Sequence, residues 1–226
     1  MKILAIVLQT QRIRESDLLL NILTEDRGRL SCLARGALKS KMRFPGGIDL
    51  WDSGYFELED KKPGGIPVLG SISERERWPK LREDLRRFTF AAYVSEMILR
   101  LTEEDHAEDG ALCRPLLKTL KFLSSLDGGH EQAAVCIFSA VSILRNLGYD
   151  PTENQQELST MPEVLDWFVA MLEQEQPIAP FDVKLLEAGF NLLSGYSEAI
   201  LGRELRSKQS AHDTVHRLVR SAPAAA

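Results

Sequence analysis

Six basic residues without an intervening acid stand in the stretch RGRLSCLARGALKSKMR: Arg27, Arg29, Arg35, Lys39, Lys41 and Arg43. Such a run raises the local positive potential and can replace the counterions condensed on a phosphate backbone. Gly36 at a junction within it, and Ser40 beyond, offer neutral N–H and O–H donors for phosphate oxygens. Arg12 and Arg14 stand where they would extend the same patch. Phe44, Trp51, Tyr55 and Phe56 offer faces on which bases could stack, or they fill a core. Clustered positive charge is often only a solvated surface. The complete absence of Asp and Glu from this run, in a chain with 33 acidic and 28 basic residues, favours binding. A second basic cluster, Arg203, Arg206 and Lys208, falls where a helix should end. It would complement the helix dipole there, or touch nucleic acid or an acidic partner. Lys118, Lys121 and Arg145 sit on apolar helices that could form a groove for a partner protein.

Other chemistries are poorly supported. No phosphate-loop, H-E-x-x-H or G-x-S-x-G pattern occurs, so no catalytic residue is assigned. His212 and His216 are four apart and could share a helix face, but their surroundings are basic, which disfavours a cation. Glu103, Glu104, Asp105, Glu108 and Asp109 read as a solvated acidic connection. Cys32, Cys113 and Cys136 are widely spaced and lack any CxxC pairing, which argues against a zinc knuckle and a disulfide framework and suggests small buried hydrophobes. No metal or other cofactor is expected. No apolar stretch approaches the 20 or so residues needed to span a bilayer, and the apolar start lacks a signal-peptide cleavage site, so no membrane association and a cytoplasmic location are expected.

The elements that must position the basic run change character along the chain. Short apolar or alternating stretches at Ile3 to Leu8, Asp17 to Thr24, Arg29 to Ala34, Trp51 to Glu59 and Ile66 to Ser73 read as five strands, separated by turn signals such as Thr24 to Gly28. Five short strands in under 80 residues fit a small closed barrel of the OB-fold kind. Beyond Pro79, apolar spacings of three to five predict helices over 80–104, 110–126, 130–147, 162–175 and 182–205, with Gly148 and Pro151 in C-terminal capping positions. The expected fold class is α+β: an N-terminal OB-fold β-barrel followed by an all-α helical domain. The expected division is 1–79 as a nucleic-acid-binding OB-fold, 80–220 as a helical domain for protein interaction and further DNA contacts, and 221–226 as a disordered tail. Charge follows the same division. Residues 1–87 carry 17 Lys and Arg against 13 Asp and Glu, and the remainder 11 against 20. Two surfaces with different partners are implied.

Five motifs in order carry a family resemblance. Ala5-Ile6-Val7-Leu8 with Arg14-Glu15-Ser16-Asp17 and Leu23-Thr24-Glu25-Asp26-Arg27-Gly28 looks like the opening strand, E-x-D turn and hairpin of the bacterial RecO family. Ala34-Arg35-Gly36-Ala37-Leu38-Lys39-Ser40-Lys41 is similar to its basic stretch, and Ala92-Tyr93-Val94-Ser95-Glu96 to the helix opening its α-domain. Phe138 through Leu147-Gly148-Tyr149-Asp150-Pro151 and Leu201-Gly202-Arg203-Glu204-Leu205-Arg206-Ser207-Lys208 resemble its later helix ends. The likeness covers most of the chain and is weakest over 150–180. Many members carry a four-cysteine zinc module after the Gly-Tyr-x-Pro segment; Thr152 to Leu158 has no cysteine, so the zinc site is expected to be lost or replaced.

The resemblance implies a DNA repair and recombination mediator, not an enzyme. It would bind single- and double-stranded DNA through the basic residues named, anneal complementary strands and, with RecR, help load RecA onto DNA coated by single-strand-binding protein (SSB). The helical domain would dock the acidic SSB C-terminal tail, for which Lys118, Lys121 and Arg145 are the candidates, and the protein would associate with the nucleoid. The alternatives are a protein-interaction adaptor whose barrel only scaffolds, and an RNA-binding OB-fold protein.

Overall fold

The computed structural model describes residues 1–40, 42–60, 64–153, 161–180 and 182–221. Packing divides the chain into two units: Met1–Trp78 with Thr102–Leu117, and Pro79–Leu101 with Lys118–Ala226.

The first unit is a closed five-stranded barrel in the order β1-β2-β3-β5-β4, the OB-fold arrangement expected. Its strands are β1 (Lys2–Arg12), β2 (Leu18–Thr24), β3 (Gly28–Ala34), β4 (Ser53–Glu59) and β5 (Val68–Glu76). Alternation sets the inward face: Leu30, Cys32 and Ala34 of β3 and Leu18, Leu20 and Ile22 of β2 are buried with Ile3, Ala5, Val7, Phe56 and Leu58. β1 outruns its apolar stretch. Gln9 to Arg12 remain strand because they pair with Asn21, Leu20, Leu19 and Leu18 across the ladder; cross-strand pairing overrides composition there.

The seam between β3 and β5 is thin, a parallel pairing at Leu33 and Val68. Much of the remaining outer edge of β3 is covered by the segment after Thr102. The Ser31 N–H donates to Glu104 Oε1 (2.8 Å), and the Asp105 N–H donates to the Arg29 carbonyl (2.6 Å). A 3-10 turn (Ala107–Leu112) continues this cover. The acidic connection is solvated, as expected, at Glu103, Glu104, Asp105 and Glu108, and it has a structural role as well. Asp109 is itself buried. Gly28, at φ +64°, lies so close to it that a Cβ would stand 2.0 Å from the His106 carbonyl oxygen.

The second unit is helical. Among the described residues the chain has seven α-helices: α1 (Pro79–Glu83), α2 (Leu85–Leu101), α3 (Cys113–Ser125), α4 (Gly129–Asn146), α5 (Pro162–Glu173), α6 (Lys184–Leu201) and α7 (Lys208–Ser221). The helix predicted over 80–104 breaks at Asp84, whose carboxylate accepts the Arg86 and Arg87 N–H groups and so caps α2. α4 ends in a Schellman arrangement, as the sequence suggests. Gly148 has φ +79°, its N–H bonds to the Arg145 carbonyl, and the Tyr149 N–H bonds to that of Leu144. α7 has no counterpart among the helices predicted from apolar spacing. Its N-terminus is made by the Glu96 carboxylate of α2, which accepts the Arg206 N–H and the Ser207 N–H and hydroxyl. Burial works against ionisation of Glu96, but these bonds win and hold its carboxyl below its ordinary value. Residues 222–226, most of the expected tail, lie outside the described residues, as does most of 152–158. Among the described residues no helix is long and apolar enough to cross a membrane.

Candidate nucleic-acid interface

The connection from β3 to β4 carries most of the basic run, and its own core anchors decide where the cations go. Ala37, Phe44 and Ile48 turn inward and join the barrel core, so Arg35, Lys39 and Arg43 are left exposed. The turn is pinned at its start. The Gly36 N–H donates to Asp17 Oδ1 (2.8 Å), and the Leu38 N–H donates to the Ser16 carbonyl (3.0 Å). The Gly36 N–H is the main reason the Asp17 carboxyl stays below its usual value, with Arg14 and Arg35 adding to it. Asp17 is thus the fixed post between the β1–β2 turn and the turn after β3. In sequence it is visible only as part of the E-x-D turn. The Gly36 N–H, a candidate phosphate donor by sequence, is already committed to Asp17.

Arg12 and Arg14 flank this post. Arg12 donates from Nε to the Arg14 carbonyl (3.3 Å) and from Nη2 to the Glu15 carbonyl (3.1 Å), and Arg14 stands 4.0 Å from Asp17 with most of its side chain in water. Lys39 meets Glu15 at 3.3 Å, both highly exposed, a pairing that solvent and salt weaken. Arg43 donates to the Arg35 carbonyl. Five cations from two adjoining turns, Arg12, Arg14, Arg35, Lys39 and Arg43, therefore share one rim of the barrel. Lys41 lies outside the described residues.

Arg27 and Arg29 stand elsewhere. They sit by the β2–β3 turn, at the opposite end of β3, about 20 Å from the rim for a strand of this length. Both are engaged: Arg27 bonds Asp105 (2.8 Å) and Asp60 (3.4 Å), and Arg29 bonds the Thr102 hydroxyl (3.2 Å) and carbonyl (2.9 Å). The sequence run is continuous, but the folded surface splits it. The aromatic candidates divide too. Phe44, Trp51 and Phe56 are buried, and Tyr55 alone of the four is exposed, with Lys2 Nζ 5.0 Å from its ring centre. Two arginines that the charge pattern did not single out, Arg75 and Arg77, hold the 45–52 loop: both donate to the Pro45 and Gly47 carbonyls, and Arg75 pairs with the buried Asp52.

The candidates of the helical unit are dispersed. Gly202, at φ +64°, closes α6, and Arg203 and Arg206 follow in the connection to α7. Lys208 opens α7, and its ammonium pairs with Glu198 of the last turn of α6 and with Glu204; its hydrogen bond to Glu198 raises its pKa. Lys118 of α3 donates to the Glu175 carbonyl (3.3 Å), beside a small cavity lined by Phe122, Leu126, Ala134 and Pro177 together with Glu131 and Gln176. Lys121 is exposed. Thr119 of α3 and Ser139 of α4 are bonded at 2.7 Å. Arg145, paired with Asp150 at 3.5 Å, lies about 16 Å along α4 from Ala134 of that cavity. His212 and His216 stack, and His216 Nδ1 lies 2.8 Å from Glu187 Oε1, tying α7 to α6. Among the described residues no group of three or more His, Cys, Asp or Glu is placed to hold a metal ion.

Comparison with known proteins agrees with this arrangement. Residues 1–73 match the family model for the recombination protein O N-terminal region, and residues 82–169 match that for its C-terminal region. DNA repair protein RecO of Rhodopirellula baltica is 33% identical over 150 residues, 66% of this chain and 53% of the relative. RecO of Anaeromyxobacter sp. (strain K) is 30% identical over 150 residues, 66% and 58% of the two chains. That of Geobacter sulfurreducens is 32% identical over 146 residues, 64% and 57%. The matched stretch spans little more than half the length of these relatives. With both regions of one family matched in order along it, on a barrel followed by helices, the chain belongs to the recombination protein O family.

Proposed function

We propose that this chain is a DNA-binding mediator of recombinational repair that acts without catalysing a covalent step. The observation that carries the reading is the rim: five cations on two turns, fixed by the Asp17–Gly36 bond and by Ala37 and Phe44 in the core. A rigid positive edge of this kind suits phosphate backbones and carries no base code of its own. It would bind single- and double-stranded DNA and could hold two strands in turn, which is what annealing requires. Family membership and the names of the relatives support a place in DNA repair. In this reading the protein anneals complementary strands and, with RecR, assists RecA loading onto SSB-coated DNA, in the cytoplasm at the nucleoid. The nucleic-acid-binding unit is the barrel with its 102–117 cover.

The helical unit would take the partner role. The small cavity beside Lys118, apolar at Phe122, Leu126, Ala134 and Pro177 but also lined by Glu131 and Gln176, would take an apolar side chain of the SSB tail, with Lys118 and Lys121 as the cations for its carboxylates. Arg145 is too far along α4 to share it without a long peptide. Arg203 and Arg206 would add DNA contacts.

The test is annealing of complementary oligonucleotides coated with SSB, with and without the SSB tail. Acceleration that depends on both the rim cations and the tail is expected. A protein that binds the tail but neither DNA nor RNA would be an adaptor, and one that prefers matched RNA over DNA would be an RNA-binding protein. Either result would overturn the reading.

A further inference from the structure

The cationic rim also displays large apolar side chains. Ile13 is 43% exposed, Leu38 45% and Met42 96%. Each is next to a rim cation in sequence: Ile13 lies between Arg12 and Arg14, Leu38 precedes Lys39, and Met42 precedes Arg43. The Leu38 N–H is bonded to the Ser16 carbonyl, so the turns that carry Ile13 and Leu38 are joined. Met42 follows in the same connection, where the Arg43 N–H is bonded to the Ser40 hydroxyl. The register explains the exposure. Ala37 and Phe44 fill the barrel end, which leaves Leu38 and Met42 on the outward side of the same loop.

Single exposed apolar residues are ordinary and need no explanation. Three on adjoining turns, interleaved with five cations, are a different matter. Apolar side chains gain nothing from phosphate oxygens. In nucleic acid their natural contact is the face of a base, and base faces are open only where stacking is interrupted: in a single strand, at an end, or at a single–double-strand junction. The surrounding charge favours nucleic acid over a protein partner. Among the described residues of these two turns and the connection that continues them, Arg12, Arg14, Arg35, Lys39 and Arg43 outnumber the unburied carboxylates: Glu15, Asp17, which its bond to Gly36 keeps ionised, and Asp49 further along.

We propose that Ile13, Leu38 and Met42 form an apolar wedge that rests against unstacked bases while the rim cations hold the flanking phosphates. The substrate class is then nucleic acid with an interrupted stack, taken in preference to continuous duplex. The proposal rests on the reading of the rim as a phosphate-binding surface and adds to it a discrimination that charge alone does not supply.

The full chain and its Ile13→Ser, Leu38→Ser, Met42→Ser triple variant are compared on three oligonucleotides: a single strand, a blunt duplex, and a junction with 2-aminopurine as the last paired base. Circular dichroism melting confirms that the variant, altered only at exposed positions, is folded. The parent is expected to bind the single strand and junction more tightly than the duplex and to raise the aminopurine fluorescence. In the variant that rise should vanish. Single-strand and junction affinity should fall about tenfold, since burial of apolar surface is lost, with duplex affinity and salt dependence unchanged. Salt-dependent binding by the parent with no fluorescence rise, or an equal loss on all three substrates in the variant, overturns the wedge and leaves phosphate binding standing. No binding by the parent to any of the three overturns both.

Discussion

Replacing Arg14, Arg35 and Lys39 together by alanine removes three of the five rim cations without touching a buried group; all three are exposed. Each phosphate neutralised on a single strand contributes about −0.7 to the slope of log affinity against log salt, so five contacts give a slope of about −3.5 and two give about −1.4. Between about 50 and 200 mM salt the parent should then lose about 130-fold in affinity and the variant only about 7-fold. Fluorescence anisotropy with a labelled oligonucleotide, titrated at four or five salt concentrations, measures both slopes. Arg27→Ala is the informative control. Arg27 lies at the far end of β3 and bonds Asp105 and Asp60, so its removal should leave the slope alone and lower the melting temperature slightly, a cost of about 1 kcal/mol or less. An unchanged slope in the triple variant, or a slope reduced by Arg27→Ala, would refute the division of the basic run into a binding rim and a structural end.

Gly28→Ala should cost about 3 kcal/mol, measured by urea unfolding, because a Cβ there both meets the His106 carbonyl and forces a left-handed alanine; a cost under about 1 kcal/mol would mean that the 102–112 cover moves aside freely. Glu96→Gln should lose about 1–2 kcal/mol at pH 7, since charge-assisted bonds to the start of α7 become neutral ones. Because the folded-state pKa of Glu96 lies below its ordinary 4.5, this contribution is present above about that pH and fades as pH falls through the lowered folded value, so parent and variant should converge in acid. Thiol reagents at about pH 8 should leave the native cysteines unmodified and react with them after denaturation, because burial raises Cys32 and Cys113 to about 12 and Cys136 in the same direction. Rapid labelling of the native protein would contradict that burial.

Local signals sufficed where local chemistry decides. Alternation marks β3, and the Gly148 stop marks the end of α4, because each depends on a few adjacent residues. The break at Asp84 and the helix from Lys208 were not legible. The first depends on whether one side chain caps or continues a helix. The second depends on a carboxylate from Glu96, more than a hundred positions earlier in sequence. The site shows the same limit more sharply. Charge counted along the chain joins Arg27 and Arg29 to Arg35 and Lys39, yet a strand lies between them and delivers its two ends to opposite poles. What selects the rim is the register of the inward anchors Ala37 and Phe44, together with Asp17. No count of basic residues contains that information.

The cover over β3 has a consequence for how the protein is made. The barrel unit is not a contiguous stretch of sequence: α1 and α2 are synthesised before the segment that finishes it. A nascent chain with all five strands outside the ribosome would still present a bare strand edge at Arg29 and Ser31, a template for pairing with another chain, until residues beyond Thr102 emerge. A fragment cut at Trp78 would retain that bare edge permanently and should self-associate, whereas one that rejoins 102–117 to the barrel by a short linker should stay monomeric.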